Sequence, residues 1–338
     1  MASSGESSRS RLWYVFTALL PYAALILIFG GMGIRDLLLP QAIFLNAGNL
    51  RSMATDCAPT IVAAVGMTFV ILTGGIDLSV GSIIGVSAAA ASLATNHFQS
   101  VAVGIAFGVA AGALCGVVNG MMVVGLRVQP FIVTLGTLMS MRGLCHLLNS
   151  NATIFIGDGV IEKKGALALN ARMGWLSKSD PWSGVPRFVP IVLAAILIAR
   201  AMLKHTRLGR RLYAVGSNEE AARLSGVRVA SVKLIAYGIG GFMAGIAGVM
   251  YACRMGGSGS YTGSGEELTV IAAVVIGGTS LLGGQGTVTG CVIGAVLMRS
   301  ISYTCTSLRI PDAYQLVISG MFLVAAAALD RLRREKAG

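Results

Sequence analysis

Long apolar runs, separated by short polar stretches, extend over nearly the whole chain. A helix needs about 20 predominantly apolar residues to cross the hydrocarbon core of a bilayer. Runs near that length predict an all-α, polytopic membrane protein with about ten transmembrane helices, a count that re-entrant pieces would change by one or two. The predicted spans are 13–33, 54–73, 78–96, 101–125, 130–148, 188–203, 232–252, 268–283, 287–307 and 313–330.

Ten crossings would place both termini on the same side of the membrane. A tail (1–12) would precede a single transmembrane domain (13–330), and a second tail (331–338) would follow it. The basic loop 204–231 falls on the side of the tails, whereas the long loop 149–187 falls on the other. Because basic residues are concentrated in cytoplasmic loops, the sequence predicts that 204–231 and both tails are cytoplasmic.

Composition supports a membrane protein and argues against other classes. Hydrophobic residues make up 55% of the chain and charged residues 12%, against roughly 25% charged in soluble domains. The net charge of +12 does not indicate nucleic-acid binding, because the basic residues cluster at the ends of apolar spans and no aromatic residues alternate with them. Six scattered cysteines and three distant histidines predict neither a disulfide framework nor a metal site, and no cofactor is expected.

The most hydrophilic segment, Lys204–Lys233, contains a predicted short helix. Ser217 and Glu220 have the spacing of a capping box, in which each side chain accepts from the other residue's backbone N–H. The residues that follow are good helix formers, and a glycine stands where helices commonly end. A soluble partner could bind such an element. Its residues are Ser217, Asn218, Glu219, Glu220, Ala221, Ala222, Arg223, Leu224 and Gly226.

A glycine-rich motif separates the second and third predicted spans. Asp77 is its ionisable residue, and at membrane depth such a residue is a functional candidate. It is also a good N-cap for the third span, or it could hydrogen-bond two helix ends together. The motif, Gly74, Gly75, Asp77, Leu78, Ser79 and Gly81, shares the pattern GGxxLxxG with Gly277–Gly284, which suggests an internal repeat.

Other polar and small residues have two interpretations each. Glycines repeat every fourth residue from Gly104 to Gly120, which favours close helix packing or, alternatively, a moving seam. Arg142 and Arg299, inside apolar runs, are expected to snorkel or to face a wet cavity. The loop Gly256–Gly265 resembles a flexible lid, and a solvated helix start is expected after it. Pathway lining or interhelical hydrogen bonding is expected for Asn119, Gln129, Pro130, Phe131 and Thr134.

The chain has no motif for binding ATP or for hydrolysis. It lacks the phosphate-loop pattern GxxxxGK[ST], and it also lacks GxSxG and HExxH. Gly284–Gly290 imitates a dinucleotide fingerprint, but its third glycine is one residue late and it lies between apolar spans. The sequence therefore predicts a membrane protein that is not itself an enzyme.

Four stretches together resemble the ribose-type family of ABC transporter permeases: Gly66–Gly85, Val128–Leu144, Arg207–Val227 and Val275–Leu297. The resemblance implies an ABC importer permease fold in a bacterial inner membrane. It implies three partners, namely a cytoplasmic ABC ATPase, a periplasmic sugar-binding protein and a second permease copy or paralogue. It also implies that Ser217–Gly226 contacts the ATPase. The main alternative is an ion-coupled secondary sugar transporter that depends on Asp77.

Overall fold

The computed structural model describes most of the chain, and side chains from Pro21 onward. The described residues are 4–38, 44–150, 152–157, 163–180, 184–311 and separate positions between 313 and 328. The predicted tail 331–338 and part of the predicted last span, 313–330, lie outside them.

The described residues form twelve α-helices, a 3₁₀ turn and one two-stranded ribbon, which confirms the all-α class. The elements are α1 (Ser4–Leu38), α2 (Ala47–Leu72), α3 (Val80–Phe98), α4 (Val101–Leu126), α5 (Pro130–Leu148), β1 (Thr153–Phe155), α6 (Lys163–Gly174), the 3₁₀ turn Trp175–Ser177, α7 (Phe188–His205), α8 (Arg207–Ser217), α9 (Glu219–Leu224), α10 (Val229–Met255), β2 (Gly257–Gly259), α11 (Glu266–Ile276) and α12 (Val288–Ser307).

Seven of the described helices are long and apolar enough to cross a membrane, so the count of about ten stays a prediction. They are the part of α1 from Pro21 to Leu38, and α2, α4, α5, α7, α10 and α12. The predicted span 268–283 is wrong as a full crossing. Its helix, α11, ends at Ile276, and 11 residues are about 16 Å long, roughly half of the hydrocarbon thickness.

The interior is built from α2, α3, α4 and α10. Nearly all of α2 from Cys57 to Leu72 is buried. The predicted glycine stripe of α4 packs against α3 at Gly104 and against α10 further along, where a Cβ built on Gly112 would lie 2.6 Å from the backbone nitrogen of Gly245. The two backbones therefore approach too closely for any larger side chain, and close packing of this stripe is confirmed.

The outer helices expose large apolar side chains. Leu27 of α1, Met139 of α5 and Leu197 of α7 are 75%, 66% and 64% exposed. Exposed leucine and methionine on long apolar helices are typical of a surface that faces lipid.

The segment 256–265 re-enters the protein and is not a flexible lid, contrary to the sequence expectation. Strand β2 pairs antiparallel with β1, and Ser258 and Thr262 are buried. The Thr262 carbonyl accepts from Arg142 Nη1 at 2.8 Å. Helix α11 then starts at Glu266, beside Thr60 of α2. Thr60 lies about 20 Å along α2 from its start, so α11 begins deep inside the bundle.

Candidate coupling surface and helix breaks

Helices α8 and α9 form the polar surface that the sequence singled out. Thr206 caps α8, since its hydroxyl accepts from the Gly209 N–H at 3.2 Å. Asn218 caps α9, and its Oδ1 accepts from the Ala221 N–H at 2.9 Å. The capping box at Ser217 and Glu220 is therefore wrong: Ser217 is the last residue of α8, and the N-cap is one residue later.

Helix α9 has only six residues, and its surroundings hold it in place. Glu219 accepts from Lys233 Nζ of α10 at 2.6 Å, and Ala222 is buried. The predicted stop at Gly226 is confirmed. Gly226, at φ +82°, donates to the Arg223 carbonyl, as in a Schellman motif.

The outward face of α9 is open. Glu220 and Arg223 form an exposed ion pair of 2.6 Å, and the hydrogen bond to Glu220 raises the pKa of the Arg223 guanidinium. Leu224 is 79% exposed. A large exposed apolar side chain beside opposite charges is suited to a protein partner, since an apolar anchor with a polar rim is the usual composition of an interface.

The end of α8 packs against the ends of two other helices. A Cβ built on Gly216 would lie 3.0 Å from the Leu72 carbonyl carbon and would overlap the Leu72 oxygen and the Gly284 nitrogen. The Gly284 N–H donates to Leu72 O at 3.0 Å, and Tyr213 Oη donates to Gly286 O at 2.8 Å. The end of α2 and the loop between α11 and α12 thus meet each other and α8 at one place.

The two glycine-rich motifs adopt the same local structure, shifted by one residue from their sequence match. Gly74, at φ +77°, donates to Ile71 O, and Gly278, at φ +89°, donates to Val275 O. In each case the next N–H reaches one residue further back along the helix, which completes a Schellman motif. Gly74 therefore corresponds to Gly278 and not to Gly277. We call these two segments, 72–79 and 277–287, the helix breaks.

Asp77 holds the first helix break together from inside the protein. It is 2% exposed, and its Oδ1 accepts from the Ser79 N–H at 2.8 Å and from the Ser79 hydroxyl at 2.6 Å. Asn119 Nδ2 donates to Ser79 Oγ at 2.6 Å. The N-cap of α3 is Ser79, so the capping role predicted for Asp77 is wrong. The alternative, a structural hydrogen bond, is present, but it joins the start of α3 to Asn119 in the interior of α4 and not to another helix end.

The candidate pathway residues fall into two groups. Asn119 and Thr134 are buried, and the Thr134 hydroxyl donates to Ile76 O of the first helix break at 3.0 Å. Gln129, Pro130 and Phe131 lie at the start of α5, and Phe131 is 48% exposed. The structure does not bring these five residues together.

Sequence reasoning missed three residues at the contact of α8 with the helix breaks: Tyr213, Gly216 and Gly284. The sequence did contain a signal for this contact. The loop holds three glycines within four residues, Gly283, Gly284 and Gly286, and such a concentration indicates a close approach of another backbone.

The long apolar helices, with the exposed surface of α8 and α9 beside them, define a membrane-embedded permease. Residues 49–327 match the family described as branched-chain amino acid transport system / permease component. The match covers most of the chain, and the chain belongs to this family.

Curated relatives resemble the chain over most of its length. The chain is 35% identical to a ribose import permease protein of Escherichia coli, over 97% of this chain and 99% of the relative. It is 38% identical to an autoinducer 2 import system permease protein of an Enterobacter species, over 81% and 76%. It is 31% identical to an L-arabinose transport system permease protein of Escherichia coli, over 99% and 95%. No solved structure matches the chain.

Proposed function

We propose that the protein is the permease subunit of an ATP-driven importer for a monosaccharide or related polyol. A separate cytoplasmic ATPase would supply the energy, a binding protein would deliver the solute, and a second permease copy or paralogue would complete the pathway. Relatives named for ribose and L-arabinose support the sugar class. The chain itself would then not be an enzyme.

The contact of α8 with both helix breaks carries the proposal. A protein that binds the outward face of α9 pulls on α8 through Asn218. Helix α8 in turn contacts Leu72 through Gly216 and Gly286 through Tyr213. Motion of a bound ATPase would therefore reach α2 and α12 over one short path. An ion-coupled transporter has no need of such a surface.

The positive charge of this surface supports its placement on the cytoplasmic side. Arg207, Arg210 and Arg211 of α8 are exposed, which agrees with the preference of basic residues for cytoplasmic loops. The ribbon of β1 and β2 would then lie toward the binding protein.

The opposed hypothesis, ion coupling through Asp77, has less support. Asp77 makes its hydrogen bonds to Ser79 and Asn119, and this arrangement fixes a loop.

Reversing the charge of Glu220 tests the proposal. We expect that the ATPase, detected by its ATP hydrolysis, no longer co-purifies from native membranes with the tagged Glu220→Lys permease. We also expect this variant to lose uptake of D-ribose or L-arabinose. The variant should still insert, because Glu220 is exposed and its pair with Arg223 adds little to stability. Unchanged uptake would refute the proposal.

Two controls separate docking from charge and from helix stability. Ser231→Lys adds a positive charge at an exposed position outside α9 and should retain uptake. The double exchange Glu220→Arg with Arg223→Glu keeps the ion pair within α9 but exchanges its outward charges. If the ATPase recognises Glu220, this double variant also fails to bind it.

A further inference from the structure

A cavity of about 490 Å³, with polar and apolar surface in comparable amounts, opens beside the start of α11. Its wall combines the beginning of β1, the end of α10 and the re-entrant segment. The volume is within the range of about 300–1,000 Å³ that is usual for small-molecule sites. The polar side chains of the wall include Tyr251, Ser260, Tyr261, Thr262, Ser264 and Glu266.

The floor of the cavity lies about halfway along α2, away from α8. Glu266 contacts Thr60, which is about 18 Å along α2 from Leu72, where α8 packs. Thr60 is also about 20 Å from the opposite end of α2. The cavity therefore opens toward the face that carries β1 and β2, and its floor is at half depth.

A buried network fixes the floor of the cavity. Arg299 forms an ion pair with Glu266, and its Nε donates to Thr60 Oγ1 at 2.6 Å. Arg299 Nη2 also donates to Tyr251 Oη at 2.6 Å, and Thr60 Oγ1 donates to Glu266 Oε2 at 3.2 Å. Each charge is compensated, so the Glu266 carboxylate and the Tyr251 hydroxyl are held in place at the cavity wall.

Tyr261 and Ser264 lie at the mouth of the cavity. Tyr261 is 75% exposed and stands edge-to-face against His146, with 5.1 Å between the ring centroids. Its ring is therefore oriented while its surface stays accessible. Ser264, also exposed, lies three residues further along.

We infer that this cavity binds a neutral polyhydroxylated solute on its way across the membrane. The Glu266 carboxylate and the serine and threonine hydroxyls offer acceptors and donors for vicinal hydroxyl groups. The Tyr261 ring offers an apolar face to the C–H side of a sugar ring. A solute with a net charge would disturb the compensated pair of Arg299 and Glu266. The inference rests on the proposed import function and assigns it a place.

Protection of an introduced cysteine tests the inference directly. All six native cysteines are buried or partly buried, so the background reaction of a membrane-impermeant thiol reagent is low. Ser264→Cys places a thiol at the cavity mouth with little change in size. Ala171→Cys places one on α6, exposed and outside the cavity wall. The complete importer is reconstituted with its ATPase and binding protein, and D-ribose and L-arabinose are the probes.

We expect at least one probe sugar to slow the labelling of Ser264→Cys several-fold and to leave Ala171→Cys unchanged. Equal labelling of Ser264→Cys with and without both sugars would overturn the cavity assignment. Equal slowing at both positions would also overturn it, since this would indicate a global change of the protein.

A pair of Tyr261 variants adds a functional readout that a folding defect would not imitate. Tyr261→Ala should lower the maximal uptake rate about tenfold, whereas Tyr261→Phe keeps the ring and should stay within about twofold of the unmodified importer. Equal rates for the two variants would contradict the role of the ring.

The experiments distinguish a wrong cavity assignment from a wrong import function. If ATP-driven uptake proceeds without protection of Ser264→Cys, only the cavity assignment fails. If the sugars protect Ser264→Cys but no uptake occurs with all partners present, the import function fails and the binding site stands. If neither is observed, both are wrong.

Discussion

Replacing Gly216 with alanine is the most direct test of the contact between α8 and the helix breaks. A Cβ at this position would lie 3.0 Å from the Leu72 carbonyl carbon and would overlap both Leu72 O and the Gly284 nitrogen. Those two atoms are joined by a hydrogen bond of 3.0 Å. Alanine therefore fits only if α8 moves away or if this hydrogen bond breaks.

The expected cost follows from these two effects. Inserting a methyl group into packed backbone costs about 1–3 kcal/mol, and the lost hydrogen bond adds about 1 kcal/mol. The docked arrangement of α8 is thus destabilised by about 2–4 kcal/mol relative to arrangements in which α8 is displaced. Since 1.4 kcal/mol corresponds to a factor of ten, the population of the docked arrangement relative to the displaced ones should fall by one to three orders of magnitude.

The assay is sugar transported per ATP hydrolysed, measured on the complete importer in proteoliposomes. We expect Gly216→Ala to lower this ratio at least tenfold while the ATPase still co-purifies, because the outward face of α9 is unchanged. Tyr213→Phe removes only the 2.8 Å hydrogen bond to Gly286 and should lower the ratio about fivefold.

A matched glycine control decides the outcome. Gly136 of α5 has open space around its Cβ position in the described part of the chain, so Gly136→Ala should leave transport unchanged. If Gly216→Ala and Gly136→Ala gave the same ratio, the contact of α8 with the helix breaks would not transmit motion. Loss of ATPase binding in Gly216→Ala would instead mean that the contact serves only to fold the docking surface.

Three further changes test the local geometry. Asn218→Ala removes the N-cap of α9 and should weaken ATPase binding by about 1 kcal/mol, roughly fivefold in affinity, whereas Ser217→Ala should have little effect. Gly112→Ala should lower the thermal stability of the purified permease, whereas Gly125→Ala on the same helix meets open space and should not. Asp77→Asn keeps an acceptor for Ser79 and should still transport, whereas Asp77→Ala leaves buried donors unsatisfied and should reduce the amount of folded protein in membranes. Loss of transport in well-folded Asp77→Asn would favour ion coupling.

Sequence patterns predicted those parts of the fold that depend on local properties. Pro130 is the first residue of α5, and Gly74 follows the end of α2 in the left-handed conformation. Proline at a helix start and glycine after a helix end each have a local cause, namely a fixed φ and the absence of a Cβ. The predicted helix end at Gly226 is correct for the same reason.

Features that depend on distant residues were not predictable in this way. Ser217 and Asn218 are both good N-caps, and the choice between them follows from the packing of α8 against Gly284. Glu266 looked like a solvated helix start, because its partner Arg299 is 33 residues away in the sequence. The segment after Ile276 carries no charge up to residue 283, so hydropathy alone extended the predicted span and did not reveal that α11 is half a span.

Helix α11 connects the cavity with the helix breaks. Its first residue, Glu266, forms part of the cavity wall, and the glycine that follows its last turn, Gly277, packs so closely on α12 that a Cβ there would lie 2.7 Å from the Cys291 nitrogen. Over about 16 Å a single helix is effectively rigid, so a displacement of the second helix break by α8 also displaces Glu266. The ion pair with Arg299 of α12 would then be strained or would move with it. If the importer works as proposed, ATP-driven motion at α8 would change the shape of the cavity, and solute binding at Glu266 would bias the position of α8 in return, because coupling between two sites is reciprocal.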